Sequence, residues 1–303
     1  MIYKLIPTCK DYIWGGTKLK TEYGKVSDKD IIAETWELSC HKDGECFVEG
    51  ENCTLTELIK NNLSFLGSAC DKFDDFPVLI KLIDAKKDLS VQVHPSDEYA
   101  LKNENQYGKT EMWYVVDCEI NSYIYYGFKE DTDKVTFEKA IKNNTVCDLL
   151  NKVEVKKGDS FFIEAGTIHA IGAGVLIAEV QQNSNVTYRV YDYGRLGTDG
   201  LQRELHIEKA CEVANYKKQE MKSSQNKHIA DCKYFTTDKI VVADIYKSKP
   251  TNSFQCLLII SGNSKVISEE NVIECKIGDT IFIPANINYN INSNCEVLLT
   301  YVK

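Results

Sequence analysis

Gln92 and His94 stand two positions apart in Val91-Gln92-Val93-His94-Pro95, Glu111 follows downstream, and His169 ends the run Gly158-Asp159-Ser160-Phe161-Phe162-Ile163-Glu164-Ala165-Gly166-Thr167-Ile168-His169. Two imidazoles, a carboxylate and a carboxamide form a donor set for a divalent metal ion. Two histidines and one glutamate alone match the facial triad of iron(II) oxygenases, which leaves positions open for dioxygen. A fourth ligand in Gln92 leaves less room and suits zinc, with water or substrate completing the shell. The residue chemistry leaves both metals open.

These donors need elements to position them. A strand sends alternate side chains to the same face, so Gln92 and His94 point one way and Leu89, Val91 and Val93 the other. That apolar alternation predicts a strand. Glu111 opens a second strand through Met112-Trp113-Tyr114-Val115-Val116, and His169 follows a Gly-Thr-Ile turn after a third, Phe161-Phe162-Ile163. Donors from three strands can then meet in the interior of a barrel. The other histidines, His41, His206 and His228, read as non-ligands.

Helical patterns are fewer. Residues 54–66 begin with a threonine cap and Glu57 three positions on, the capping-box pattern, and carry Leu55, Leu58, Ile59 and Leu63 at helical spacing. Residues 136–150 and 206–213 give two more, and the three are expected to cover one end of the first barrel. The run from Lys157 to Ala165 returns as Ile277 to Ala285, 120 positions later, with His169 replaced by Tyr289. This predicts a second barrel that keeps the turn and has lost the ligand. A polar stretch at 216–227 reads as the linker, dividing the chain into a catalytic unit, 1–215, and a C-terminal unit, 228–303.

With 303 residues and 43% hydrophobic content, the chain can bury one large core or two modest ones. A net charge of −9 argues against nucleic acid as a partner. A phosphorylated small molecule remains compatible, because a phosphate needs only a local cluster of cations. No apolar run approaches the roughly 18 residues of a membrane span. The N-terminal Met-Ile-Tyr-Lys-Leu-Ile-Pro lacks a signal-peptide core, so the expected location is the cytoplasm. Twelve scattered cysteines, none in a Cys-x-x-Cys pair, are expected as free thiols.

The two ligand-bearing stretches resemble the halves of the cupin barrel motif, with Gln92 where most cupins have histidine and a 16-residue separation, 95–110, before Glu111. Those departures narrow the likeness. Trp14-Gly15-Gly16, Glu34-Thr35-Trp36-Glu37-Leu38-Ser39, Pro77-Val78-Leu79-Ile80-Lys81, Gln92-Val93-His94-Pro95, Lys109-Thr110-Glu111 and Tyr188-Arg189-Val190-Tyr191-Asp192 occur in the order found in short bacterial type I mannose-6-phosphate isomerases, which this chain resembles from Trp14 to about Lys209.

The resemblance implies a mainly β fold of two cupin-type (jelly-roll) barrels, one zinc ion per chain, and interconversion of mannose 6-phosphate and fructose 6-phosphate through a cis-enediol. It implies Gln92, His94, Glu111 and His169 as metal ligands, and Arg189, ten positions after Glu179, as a fixed cation that stabilises the enediolate or grips the phosphate. Lys109 is the implied base, a dication beside it favouring the neutral amine; a metal-bound hydroxide competes for that role. Trp14, Lys81 and Glu179 are expected at the substrate, and Arg195 and Arg203 are further possible phosphate partners. An iron(II) dioxygenase and a non-catalytic sugar-binding cupin are the alternatives. Sugar breadth and oligomeric state are not encoded in these motifs.

Overall fold

The computed structural model describes residues 1–197, 200–220 and 227–303. It is mainly β, and its sheets are antiparallel. One sheet has six strands in the order Ser160–Ile163, Glu111–Cys118, Val175–Gln182, Val78–Ala85, Glu34–Leu38 and Thr8–Lys10. A second has five, in the order Tyr188–Tyr191, Val91–Val93, His169–Ile171, Tyr123–Phe128 and Leu150–Glu154.

The cores show how these sheets are layered. Ile83, Trp113, Val115, Phe161 and Ile177 from the six-stranded sheet pack against Ile124, Tyr126 and Ile171 from the five-stranded one. The alternate residues of the same strands, Ile80, Leu82, Met112, Tyr114 and Val180, pack on Phe254 and on Cys256, Leu258 and Phe282 of a C-terminal sheet that includes the strands Gln255–Ser268 and Thr280–Ile283. The six-stranded sheet is therefore buried on both faces, which explains why Val78–Ala85 reads as a continuous apolar run interrupted mainly by Lys81 and Asp84. On the far side of the five-stranded sheet, Val91, Val93, Ile168 and Tyr188 meet Phe137 and Ile141 of the helix Lys134–Lys142 and Ala210 of the helix Ile207–Val213.

The helices follow their sequence signals, with shifted ends. Leu55–Asn61 carries the expected capping box between Thr54 and Glu57 and gives way to a 3-10 turn at Leu63–Phe65. Lys134–Lys142 starts two residues before the expected point because Asp133 caps it. The segment 95–110 contains the helix Asp97–Asn103. Leu89 was placed opposite Gln92; it lies outside the strand Val91–Val93 and packs in the core between the two sheets. All twelve cysteines are free. Half of the expected linker, residues 221–226, lies outside the described residues.

The repeated segment is repeated in space. Gly158 and Gly278 both take positive φ, at 92° and 87°, a conformation open to glycine at no steric cost. Asp159 and Asp279 each accept from the backbone N–H three residues earlier, at 2.8 and 2.9 Å. Eight positions beyond each glycine, Gly166 and Asn286 are again left-handed, and His169 and Tyr289 each open the next strand.

The C-terminal sheet also contains the start of the chain. Tyr3–Ile6 lies between Thr280–Ile283 and Phe47–Val48, with Tyr3 opposite Phe282 and Leu5 opposite Val48. A buried polar cluster joins the halves at the same seam. Lys25 Nζ donates to Glu37 and to the carbonyl of Gly278, and Thr35 and Thr280 donate to the two Glu37 oxygens. Glu37 is fully buried. Lys25→Met leaves that carboxylate uncompensated and is expected to destabilise the protein by about 3–5 kcal/mol. Thermal or urea unfolding of the variant checks it, and a shift below about 1 kcal/mol would show that water replaces the ammonium.

Candidate metal centre

The site lies between the two sheets, and strand register assembles it. In the five-stranded sheet Gln92 is directly opposite Arg189 on one side and His169 on the other. In the facing sheet Lys81 is opposite Trp36 and Glu179, and Glu179 is opposite Trp113. Glu111 is opposite Gln181, two residues along from that row. Period-two alternation then turns both rows inward.

His94, Glu111 and His169 converge with ligand atoms within 4.8 Å of one another, all three buried. Glu111 Oε2 lies 3.6 Å from His94 Nε2 and Oε1 lies 3.4 Å from His169 Nε2. The Gln92 carboxamide ends 3.4 Å from His169 Nε2. Both histidines are held in the tautomer a metal requires. His94 Nδ1 donates to the carbonyl of Val186 at 2.8 Å and His169 Nδ1 to that of Thr167 at 2.9 Å, which frees each Nε2 lone pair for the centre.

Electrostatics reinforce this. Burial, with Lys109 and His169 beside it, holds His94 well below the ordinary imidazole value, and burial takes His169 to about 4, so both are neutral at pH 7. Glu111 is pushed up to about 7 by burial and by Glu179. A dication would reverse that push, because the bound charge favours the carboxylate. His94 Nε2 and Glu111 Oε1 have no hydrogen-bond partner among the described residues, although unpaired buried polar atoms are costly. A metal ion supplies the missing partner for both, and the residues present fit one.

A cavity of about 280 Å³ opens beside the centre. Gln92, Lys109, Glu179, Lys81, Arg189 and Trp14 all line it, as do Tyr12, Glu34, Ser90, Asn185, Thr187 and Arg203. Lys109 is buried, with Nζ 2.9 Å from Glu111 Oε2 and 3.7 Å from Glu179 Oε1. Lys81 Nζ lies 3.3 Å from Glu179 Oε1 and 3.6 Å from Glu34 Oε2. Burial lowers Lys81, but Glu34, Glu179 and Glu111 outweigh it and raise it above the ordinary value. Burial raises Glu179, and Lys109 with Lys81 overcomes this to hold it low, helped by the Trp113 indole N–H at 3.0 Å. Along the row Glu34, Lys81, Glu179 and Lys109 the charges alternate and cancel, so Arg189 and Arg203 leave the cavity lining net positive.

Arg189 is half-buried. Its Nε donates to Ser90 Oγ at 3.2 Å and one terminal nitrogen to the carbonyl of Glu204 at 3.0 Å. Arg203 is held by two hydrogen bonds to the buried Asp192, at 2.7 and 2.6 Å. Arg195 also pairs with Asp192, and it lines a neighbouring cavity instead. His41, His206 and His228 lie outside the convergent group. Ser90, Asn185, Thr187 and Tyr12 had no role in the sequence reading, and Glu34 was only part of a motif. The alternation Glu34-x-Trp36 was the available signal, since it places both on the face shared with Lys81 once the strands are paired.

The chain is similar in sequence and fold to known proteins. Residues 2–119 match the family model of the phosphomannose isomerase type I catalytic domain, and residues 224–302 match that of the mannose-6-phosphate isomerase cupin domain. The chain is 35% identical to the mannose-6-phosphate isomerase ManA of Bacillus subtilis, over 98% of this chain and 97% of the relative. A crystal structure of the mannose 6-phosphate isomerase from Bacillus subtilis superposes with a TM-score of 0.91 at 32% identity, covering 99% of both chains. A mannose 6-phosphate isomerase solved with zinc and yttrium bound shares the fold, with a TM-score of 0.79 at 19% identity over 100% of this chain and 99% of that one. The chain belongs to the type I phosphomannose isomerases.

Proposed function

We propose that this protein interconverts mannose 6-phosphate and fructose 6-phosphate through a cis-enediol, using one zinc ion per chain held by Gln92, His94, Glu111 and His169. The observation that carries the reading is the convergence of two neutral imidazoles and a carboxylate beside a cavity whose wall holds a buried lysine and a half-buried arginine. Zinc, when bound, supplies Lewis acidity toward carbonyl and hydroxyl oxygens of the sugar, with no redox chemistry of its own.

The chain's own residues do the rest. Lys109 is the proton carrier: a cis-enediol presents C1 and C2 on one face, so one amine can take the proton from C2 and return it at C1. Glu111 and Glu179 hold its Nζ from two sides and fix where the proton is exchanged. Arg189 stays charged and faces the enediolate. Arg203 adds a cation in the cavity wall for the phosphate. Trp14 gives an apolar face for the sugar's C–H groups, backed by Tyr12 at 5.6 Å between ring centres.

Each half is read as a cupin-type jelly roll, with helices capping the first and the second bracing it. The catalytic unit is 1–215, with Tyr3–Ile6 lent to the sheet of the unit 228–303. The sugar phosphate is the partner, and the cytoplasm the site of action.

A coupled assay for fructose 6-phosphate tests the reading. Turnover is expected to vanish on chelation and return with zinc under anaerobic conditions. Turnover that survives complete metal removal, or that needs iron and oxygen, overturns it.

A further inference from the structure

Glu34 is a carboxylate on the cavity wall that the chemistry above does not use. Its Oε2 accepts the Trp36 indole N–H at 2.9 Å and faces Lys81 Nζ at 3.6 Å. Its Oε1 takes no hydrogen bond from a described residue and, unlike both oxygens of Glu111, is not sealed from the cavity. One oxygen is thus anchored and the other presented, in the fixed geometry that a strand provides. The residue is 8% exposed, so this oxygen is its one face open to a ligand. A bound hydroxyl can take the place of water there.

Position decides which hydroxyl. The strand of Glu34 lies three strands from that of Glu111 in the six-stranded sheet, roughly 14 Å between backbones at the usual strand spacing, with the side chains leaning inward. Lys109, Glu179 and Lys81 fill the interval in a single row. Glu34 is therefore too far from the metal ligands to touch C1 or C2 of a substrate seated there. A carboxylate also repels a phosphate, which leaves the hydroxyls of the carbons between.

We propose that Glu34 is a specificity-determining residue that accepts hydrogen bonds from the sugar hydroxyls on C3 to C5. This rests on the sugar-phosphate isomerase reading and extends it to the part of the substrate that does not react. Lys81 has a second task here, since it neutralises Glu34 and Glu179 together and keeps the wall from repelling an anionic substrate.

The test compares wild type, Glu34→Gln and Glu34→Ala on mannose 6-phosphate and on its 3-deoxy and 4-deoxy analogues. The same proteins are titrated calorimetrically with an open-chain hexitol 6-phosphate and its deoxy forms, a readout that needs no turnover. Wild type is expected to prefer the fully hydroxylated substrate over at least one deoxy analogue by about 10–100-fold in kcat/KM, the worth of one charge-assisted hydrogen bond. In Glu34→Gln the preference is expected to fall about tenfold, and in Glu34→Ala to approach unity, with zinc content unchanged. A residue that only braces Trp36 and Lys81 would lower activity on every analogue by one factor, leaving the preference intact, and that result overturns the proposal. If wild type is active and Glu34→Ala unfolds, Glu34→Gln and the wild-type deoxy series decide. Wild type that neither turns over nor binds the hexitol phosphate overturns the isomerase reading and this inference together.

Discussion

His169→Ala is expected to purify with little or no metal and to lose turnover by about 10³-fold or more, the equivalent of about 4 kcal/mol of lost charge stabilisation. His169 contributes a neutral Nε2 whose direction is set by the Nδ1 bond to Thr167 and by its place opposite Gln92 in the sheet. No neighbouring side chain can replace it, because Trp113 occupies the space beside the ring, edge-on at 5.2 Å. The loss should therefore be chemical and local. His169→Gln, which keeps much of the volume, separates the metal effect from a packing defect: it should melt near the wild type and still bind metal weakly. Metal analysis and melting curves read both. A His169→Ala protein that retains stoichiometric zinc would remove this residue from the ligand set.

The second large effect is expected for Arg189→Ala, with kcat reduced by about 10²–10³-fold, the usual worth of a preorganised donor at a developing oxyanion, while metal content stays at the wild-type level. Arg189 is tethered at Nε and at one terminal nitrogen, leaving the other terminal nitrogen without a described partner. Ser90 accepts from Arg189 Nε and itself donates to Gln92 Oε1 at 3.5 Å, which ties the guanidinium to the metal centre. Arg189→Lys should rescue poorly, since an ammonium cannot span both tethers and reach the substrate. The split between constants decides the role. An effect on kcat with KM nearly unchanged assigns Arg189 to the enediolate, whereas an effect confined to KM assigns it to the phosphate, which is gripped equally in ground and transition states.

What could be read in advance followed the range of the interactions. Gln92 and His94 were legible because a period of two is local, and the left-handed turn before His169 because Gly158 and Gly166 announce it. The repeat at 277–285 was legible for the same reason. The row Trp36, Lys81, Glu179 and Trp113 was not, since it depends on the register of four strands drawn from positions far apart in the chain. Lys81 and Glu179 were named by resemblance, and only pairing shows that they neutralise each other. Glu34 stayed hidden inside a motif because its value lies in which oxygen is left open. Leu89 was assigned to the wrong side because the alternation was extended past the strand's true start at Val91. The helix Asp97–Asn103, within the 95–110 separation, carries its own start pattern in Ser96, Asp97 and Glu98, but nothing in the metal motif on either side calls for it.

The pairing of Tyr3–Ile6 with Thr280–Ile283 bears on how the chain is made. A ribosome releases this strand well before its main partner, and Ile2 finds Asn271 across 269 positions. Closing so long a loop costs little more entropy than closing a shorter one, because the cost grows only with the logarithm of length. The cost is in time. Until Thr280–Ile283 has emerged, Leu5 and its neighbours have only Phe47–Val48 to pair with, and one edge of that small ribbon stays open to other nascent chains. Lys4, within the strand, is the kind of charge that blunts such an edge. Closure of this seam is thus a late event, in which Thr280–Ile283 pairs with a strand made long before it.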